Sequence, residues 1–312
     1  NQESFFFRRS QIELLSSETF NRFFSHEVKQ QYTYPFSPVA AVQFSGAVRM
    51  DHRLAFSREL NSLRAPTEYE FFGIARVAYI YDNVRSLGVN LMEGTRYKVF
   101  SEYYRRLDVS PSGLHTLGID FRNYSRVHGP VVWANRVAVG TSFGPEKLIH
   151  FLGGVDNQFI PRIDESVPIA PENYIFQTLA TNMRGFFQNA RNGNSFAVIN
   201  TELRIPLFRY LLKRPILNDF VNSFQLMPFF DVGTAWNGLS PYDEENAINR
   251  QIIDRGNIRV VINSNKEPII AGMGIGARAQ LFGYFIRVDY AHGIEDGLIL
   301  PRVWHFSIGT DF

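Results

Sequence analysis

The sequence predicts an all-β fold: a transmembrane antiparallel β-barrel of about 12 strands with one long loop folded into its lumen. Three observations predict it. Side chains alternate in character over many segments, the period of a strand with one apolar and one polar face. The apolar faces carry aromatics from a pool of 29 Phe and 14 Tyr in 312 residues, and no segment is suited to cover them in water. No apolar run approaches the roughly 18 residues of a transmembrane helix. The mean hydropathy of −0.15 is what results when lipid-facing and lumen-facing residues alternate.

Composition narrows the function classes. A net charge of +2, from 32 Lys and Arg against 30 Asp and Glu, points to no bulk affinity for nucleic acid. The absence of Cys excludes disulfides and thiolate metal sites. Asn1-Gln2-Glu3-Ser4 runs straight into Phe5-Phe6-Phe7 without a secretory leader, so the expectation is a leader removed or a chain that is the trailing part of something longer.

Taken in order, Ser4 to Leu14 reads as an irregular strand, because three Phe are followed by Arg8-Arg9. A strand from about His26 to Tyr34 meets the Pro35-Phe36-Ser37-Pro38 turn, whose prolines cannot donate to a ladder. Val42, Phe44 and Val48 then oppose Gln43, Ser45 and Arg49, and Phe71, Ala75, Val77, Tyr79 and Tyr81 oppose Arg76 and Asp82. Tyr97, Val99 and Tyr103 oppose Lys98, Glu102 and Arg106; Leu117, Ile119 and Phe121 oppose Asp120 and Arg122; Trp133, Val137 and Val139 oppose Arg136.

The stretch from about Gly144 to Gly193 is the longest irregular segment, and its apolar content argues against disorder. It is expected to fold against the barrel lumen. From Ala197 the apolar residues Ala197, Ile199, Leu203 and Ile205 alternate with Asn200, Glu202 and Arg204. Arg209 to Arg214 reads as a basic turn, Phe224 to Trp236 as a strand with Asp231 on its polar side, and Leu239 to Lys266 as a second long polar loop. Three strands close the chain: Ile269 to Leu281, Tyr284 to Ala291 and Val303 to Phe312. In the last, Trp304, Phe306, Ile308 and Phe312 are predicted to face lipid, with His305, Ser307, Gly309 and Asp311 inward. A charge on the lipid face at the bilayer midplane costs about 2–4 kcal/mol, which gives force to the sorting of Arg287 and Asp289 away from Tyr284, Ile286, Val288 and Tyr290.

Met183-Arg184-Gly185-Phe186, then Asn194 to Leu207, Phe229 to Trp236, Gly272-Met273-Gly274-Ile275-Gly276 and a strand ending in Phe312 together resemble the barrel of the BamA/TamA-like surface-antigen superfamily. The resemblance covers about residues 70–312, is strongest from Tyr174, and is nearest to a Bacteroidota-type branch in which the barrel often follows an N-terminal β-propeller. It implies a sixteen-stranded barrel with five strands after the motif loop, and so a chain from which about four strands and any periplasmic domain are missing. It implies that Arg184 pairs in the lumen with acidic residues of the two following strands, at positions matched here by Glu202 and Asp231. Met183 stands where valine is commoner, which keeps the position apolar. It also implies location in the bacterial outer membrane, contact with its lipid, and dealings with unfolded outer-membrane proteins and with periplasmic or lipoprotein partners.

Other patterns carry less. Gly272 to Gly276 looks like half a dinucleotide fingerprint, but no helix follows, and the glycines read as points of bending or of close approach between loop and wall. His305 and Ser307 have no third partner at useful spacing for nucleophilic catalysis. Asp243-Glu244-Glu245 reads as a solvated acidic loop, and the His residues show no paired ligand spacing. No cofactor, no metal and no enzymatic chemistry is predicted. The functions in play are assistance to insertion or export of other proteins, a non-catalytic anchor in a membrane complex, and a passive channel, against which the long loop argues.

Overall fold

The computed structural model describes residues 2–16, 19–55, 68–107, 112–169, 174–212, 216–243, 246, 248–254, 259–263, 266–309 and 311. Its wall is built from β1 (Gln2–Ser16), β2 (Thr19–Ser37), β3 (Ala40–Ala55) and β4 (Glu68–Asp82). After the short β5 (Arg85–Gly88) come β6 (Leu91–Arg106), β7 (Gly113–His128) and β8 (Val131–Phe143). The motif loop holds β9 (Lys147–Leu152), β10 (Tyr174–Leu179) and β11 (Arg191–Gly193). Then follow β12 (Ser195–Arg204), helices α1 (Leu207–Leu211) and α2 (Asp219–Ser223), β13 (Gln225–Trp236), and the hairpin β14 (Arg250–Asp254) and β15 (Arg259–Asn263). Strands β16 (Ile270–Leu281), β17 (Tyr284–Glu295) and β18 (Leu298–Ile308) end the wall.

Twelve of these strands pair in the order β1-β2-β3-β4-β6-β7-β8-β12-β13-β16-β17-β18, each antiparallel to its neighbour. Five of them, β12, β13, β16, β17 and β18, follow the motif loop. The alternation places apolar side chains outward: Trp304 and Phe306 are 50% and 49% exposed, while His305 and Ser307 between and beyond them are fully buried. Buried arginines and carboxylates facing inward, with exposed Val48, Val77, Ile119, Val137, Ile199 and Ile275 facing outward, reverse the arrangement of a water-soluble protein. Aromatics mark both rims of this band. Tyr81 stacks on Tyr97 (5.2 Å) and Tyr97 on Phe121 (6.3 Å), while toward the other rim Tyr103, His115 and Phe143 form a second ladder (4.6 and 5.5 Å). Such girdles are where amphipathic rings meet the membrane interface.

Several elements differ from the sequence reading. The first segment is a continuous strand over Gln2–Ser16 with a bulge near its end, and the second, at 19 residues, is more than twice the predicted length. Helix α1 overlaps the start of the basic turn, and the second polar loop contains the β14–β15 hairpin. The long loop is irregular over most of its described length but holds a small sheet in which β9 lies between β10, parallel to it, and β11, antiparallel. The last strand starts at Leu298 and stops at Ile308, so Asp311 lies beyond it, and Phe312 and the Glu244 and Glu245 positions fall outside the described residues. Asp296 and Gly297 take positive φ (51° and 75°) and close a two-residue hairpin that lengthens β17 and β18 past the predicted ends.

The lumenal motif site

The inward parity of β12 and β13 brings Glu202 and Asp231 to one patch of the inner wall. Glu202 stands opposite Phe229, and Asp231 lies between Asn200 on β12 and Gly272 on β16. The motif loop descends onto this patch. Met183 and Phe186 are buried in a cluster with Leu152, Phe196, Val198, Ala235 and Ile270, which anchors this part of the loop, while Phe159, Ile160 and Phe187 stay exposed. Burying such side chains contributes roughly 1.5–3 kcal/mol each and gives the loop its fixed place.

Arg184, about 1% exposed, uses its whole guanidinium. Its Nε donates to Asp231 Oδ2 and its Nη2 to Asp231 Oδ1, both at 2.7 Å, while Nη1 donates to Glu202 Oε1 at 2.6 Å. Its backbone N–H donates to Asp231 Oδ2 as well (3.2 Å), and the guanidinium lies over the Phe229 ring, 3.7 Å from the centroid. This is bidentate, charge-assisted recognition that one ammonium could not reproduce.

Two glycines make the approach possible. A Cβ on Gly272 would sit 2.0 Å from the Arg184 carbonyl oxygen, so only glycine lets the motif backbone reach the wall beside Asp231. Gly185 has φ +91° and an ideal Cβ 2.6 Å from the His292 carbonyl carbon; its N–H donates to His305 Nε2 at 3.1 Å. Phe186 accepts at its carbonyl from Gly154 N–H (3.0 Å) and Met183 donates to the Gly154 carbonyl (2.9 Å), tying the motif to the first limb of its own loop.

Sequence reasoning placed Arg184, Gly185, Phe186, Glu202 and Asp231 at the site, and the structure brings all five together. It missed the cations that surround Glu202. Arg278 Nη2 donates to Glu202 Oε1 (2.7 Å) and Arg204 Nε to Oε2 (3.1 Å). Arg204 Nη2 continues to Asp311 Oδ1 (2.8 Å), whose other oxygen accepts from Arg122 Nη1 and Tyr124 Oη (both 2.6 Å) and from Arg96. The signal for Arg204 was present, two residues from Glu202 on the same face. Asp311 was read as inward, but its partners on β6, β7 and β12 depend on how the sheet curls. Trp304, Phe306 and Ile308 belong to the outer surface of the last strand and take no part in the site. Among the described residues no group of His, Asp and Glu is arranged to hold a metal.

On the side of the early strands the lumen stays open. A cavity of about 580 Å³ is lined by Arg49, Arg76, Glu102, Asp120, Arg136 and, from β9, His150. Neither ring nitrogen of buried His150 has a hydrogen-bond partner, and burial pushes this imidazole down to about 4.

Fold and site together define an outer-membrane barrel with a motif loop seated on its inner wall. Residues 149–312, just over half of the chain, match the Omp85 superfamily domain, and the chain belongs to that superfamily. Among solved structures it is similar to BamA from Haemophilus ducreyi lacking POTRA domains 1-3, with a TM-score of 0.58 and 13% identity over 98% of this chain and 57% of that one. It is also similar to CdiB from Escherichia coli, with a TM-score of 0.51 and 10% identity over 98% of this chain and 48% of that one. At these identities the likeness is one of fold. This chain thus spans a little over half the length of the BamA structure. No curated protein sequence matches it. Membership places the chain in the bacterial outer membrane.

Proposed function

We propose that this chain assists the insertion or export of other proteins at the outer membrane and does so at the edge of its sheet rather than through its lumen. The observation that carries this reading is the seated loop: Arg184, held by three side-chain bonds to Glu202 and Asp231, fixes a folded segment against the late strands and narrows the passage that a passive channel would need to the cavity beside the early strands. A strand edge at the seam of such a barrel templates an incoming extended segment through its backbone N–H and C=O groups. The site's side chains hold one another and the loop in position, so the reading assigns no catalytic step to them. The partners it implies are outer-membrane lipid along the apolar band and partly folded outer-membrane proteins at the edge.

The test is reconstitution of the full chain in liposomes, with a urea-unfolded outer-membrane barrel protein added as client. Folding of the client, read by its heat-modifiable migration on gels, is expected to run at least about tenfold faster than in empty liposomes, a barrier reduction of about 1.4 kcal/mol. Equal rates would sink the reading in favour of a non-catalytic anchor.

A further inference from the structure

The connection between β4 and β6 does not stand away from the wall. Strand β5 pairs with the start of β6, and Asn90 at the tip takes φ +57°, a conformation that Asn tolerates better than most residues. The hairpin folds inward: Leu91 is buried with Tyr124, Val132 and Ala134, and Val84, Leu87 and Met92 pack on the same cluster. Tyr124 shares its parity with Asp120 and Arg122, and Ala134 with Arg136, so the cluster lies on the lumenal face of β7 and β8. The tip then reaches β12 and β13. Arg204 Nη1 donates to the backbone carbonyl and to Oδ1 of Asn90 (3.2 and 3.3 Å), Asn90 Nδ2 donates to Gln225 Oε1 (3.3 Å), and Gln225 Nε2 donates to the Val89 carbonyl (2.6 Å). Asn90, Arg204 and Gln225 are buried, while Val89 beside them is exposed.

Arg204 has a second contact. Its Nε donates to Glu202 Oε2 (3.1 Å), and the other oxygen of that carboxylate accepts from Arg184 Nη1 (2.6 Å). Asn90, Arg204, Glu202 and Arg184 therefore form one unbroken run of hydrogen bonds, each with a guanidinium as its donor. The two ends of the run belong to opposite rims of the wall. The motif loop leaves it between the end of β8 and the start of β12, whereas the hairpin meets the end of β12 and the start of β13. A guanidinium is a rigid planar fork, so a rotation that follows Asn90 at Nη1 also moves Nε at Glu202.

We propose that the hairpin of residues 85–91 is a handle on the motif lock. Seated, it aims Arg204 at Glu202 and steadies the carboxylate that holds Arg184; drawn away, it turns Arg204 off Glu202 and loosens the motif loop that enters from the other rim. Such a coupling is a free energy shared by two sites, so it runs in both directions: freeing the motif must also free the hairpin. It holds whether or not the chain acts in insertion or export, and it gives one rim of the barrel a means of reporting to the other.

Asn90→Gly removes the side chain and accepts the positive φ, so it weakens the contact without straining the turn. Alone or with Gln225→Ala, in the folded full chain, it is expected to speed protease cleavage within residues 144–193 several-fold while the heat-modifiable migration of the barrel stays unchanged. Asn90→Asp keeps an acceptor for Arg204 and should leave cleavage close to that of the unaltered chain. In an Arg204→Leu background, where nothing carries the link, Asn90→Gly should add no further effect. The reverse direction uses Val89→Cys, because the chain has no cysteine of its own. A spin label at that position should gain mobility when Arg184→Ala is introduced. Unchanged loop cleavage in the Asn90→Gly variants, an equal effect of Asn90→Gly with and without Arg204, or a label at position 89 that does not respond to Arg184→Ala would each overturn the coupling. If Arg204→Leu does not fold, the label at position 89 still decides.

Discussion

The two sides of the lumen solve the burial of charge in different ways. Against β12, β13 and β16, Arg184 and Glu202 meet at 2.6 Å with side chains 2% and 1% exposed, and each of their charges is answered by another. Against β3, β4 and β6, Arg76 and Glu102 stand 3.9 Å apart on the border of the open cavity, with side chains 23% and 16% exposed. The difference follows from what fills the space. The motif loop covers Arg184 and Glu202, and each finds further partners there; Arg76 and Glu102 border the open cavity, where solvent screens an imperfect pair at small cost. Burial of a pair is not confined to the covered side, since Arg49 and Asp51 of β3 meet at 2.6 Å with side chains 6% and 1% exposed; the contrast is between the pair under the motif loop and the pair at the cavity border.

The comparison is most sharply tested at Arg184. Arg184→Ala leaves Glu202 and Asp231 without their central partner and is expected to cost about 3–5 kcal/mol of loop stability. Limited proteolysis of residues 144–193 in the folded barrel reads it directly. Arg184→Lys should restore only part of the loss, and combining Arg184→Ala with Glu202→Gln and Asp231→Asn should add little further damage. Strictly additive effects would mean the groups act independently and the contrast between the two sides is not one of coupling.

Next in size is Gly272→Ala. Its Cβ would clash with the Arg184 carbonyl oxygen, so the loop is expected to lift at a cost of about 1–3 kcal/mol, with the wall strands left intact. Unchanged protease resistance of the loop would show that the close approach at β16 is dispensable.

His150 lets pH probe the border between the two regions. Burial holds its imidazole at about 4, below the ordinary 6.5, so the folded loop keeps it neutral while the released loop takes up a proton. Stability is therefore full above about 6.5 and falls as pH drops from there toward about 4. Loop cleavage should be faster at about pH 5 than at about pH 7.5, and His150→Leu should abolish the difference. A pH effect that persists in His150→Leu would assign it to another group.

The smallest effect is expected on the wet side. Arg76→Ala should change loop or barrel stability by no more than about 1 kcal/mol, since the pair with Glu102 is long and solvated. A loss comparable to that of Arg184→Ala, measured by the same proteolysis, would erase the distinction drawn here.

What the sequence by itself determined was the wall. The period-two alternation is local chemistry, repeated in each strand, and it alone separates Trp304 and Phe306 from His305 and Ser307 and sends Glu202 and Asp231 inward. Strand ends were legible only where a turn signal was weighed. The Asp296-Gly297 pair was in plain view, yet β17 and β18 extend well past the predicted limits because pairing across that turn continues to Glu295 and Leu298. The family resemblance supplied the pairing of Arg184 with Glu202 and Asp231, which spacing alone does not specify. Only the tertiary structure decided the rest: Arg204 and Arg278 closing around Glu202, Gly185 reaching His305, and Asp311 drawn to arginines of β6, β7 and β12. Alternation fixes which way a side chain faces but carries no information about which inward-facing groups, dozens to two hundred residues apart, the curl of the sheet and the path of the loop bring within hydrogen-bonding distance.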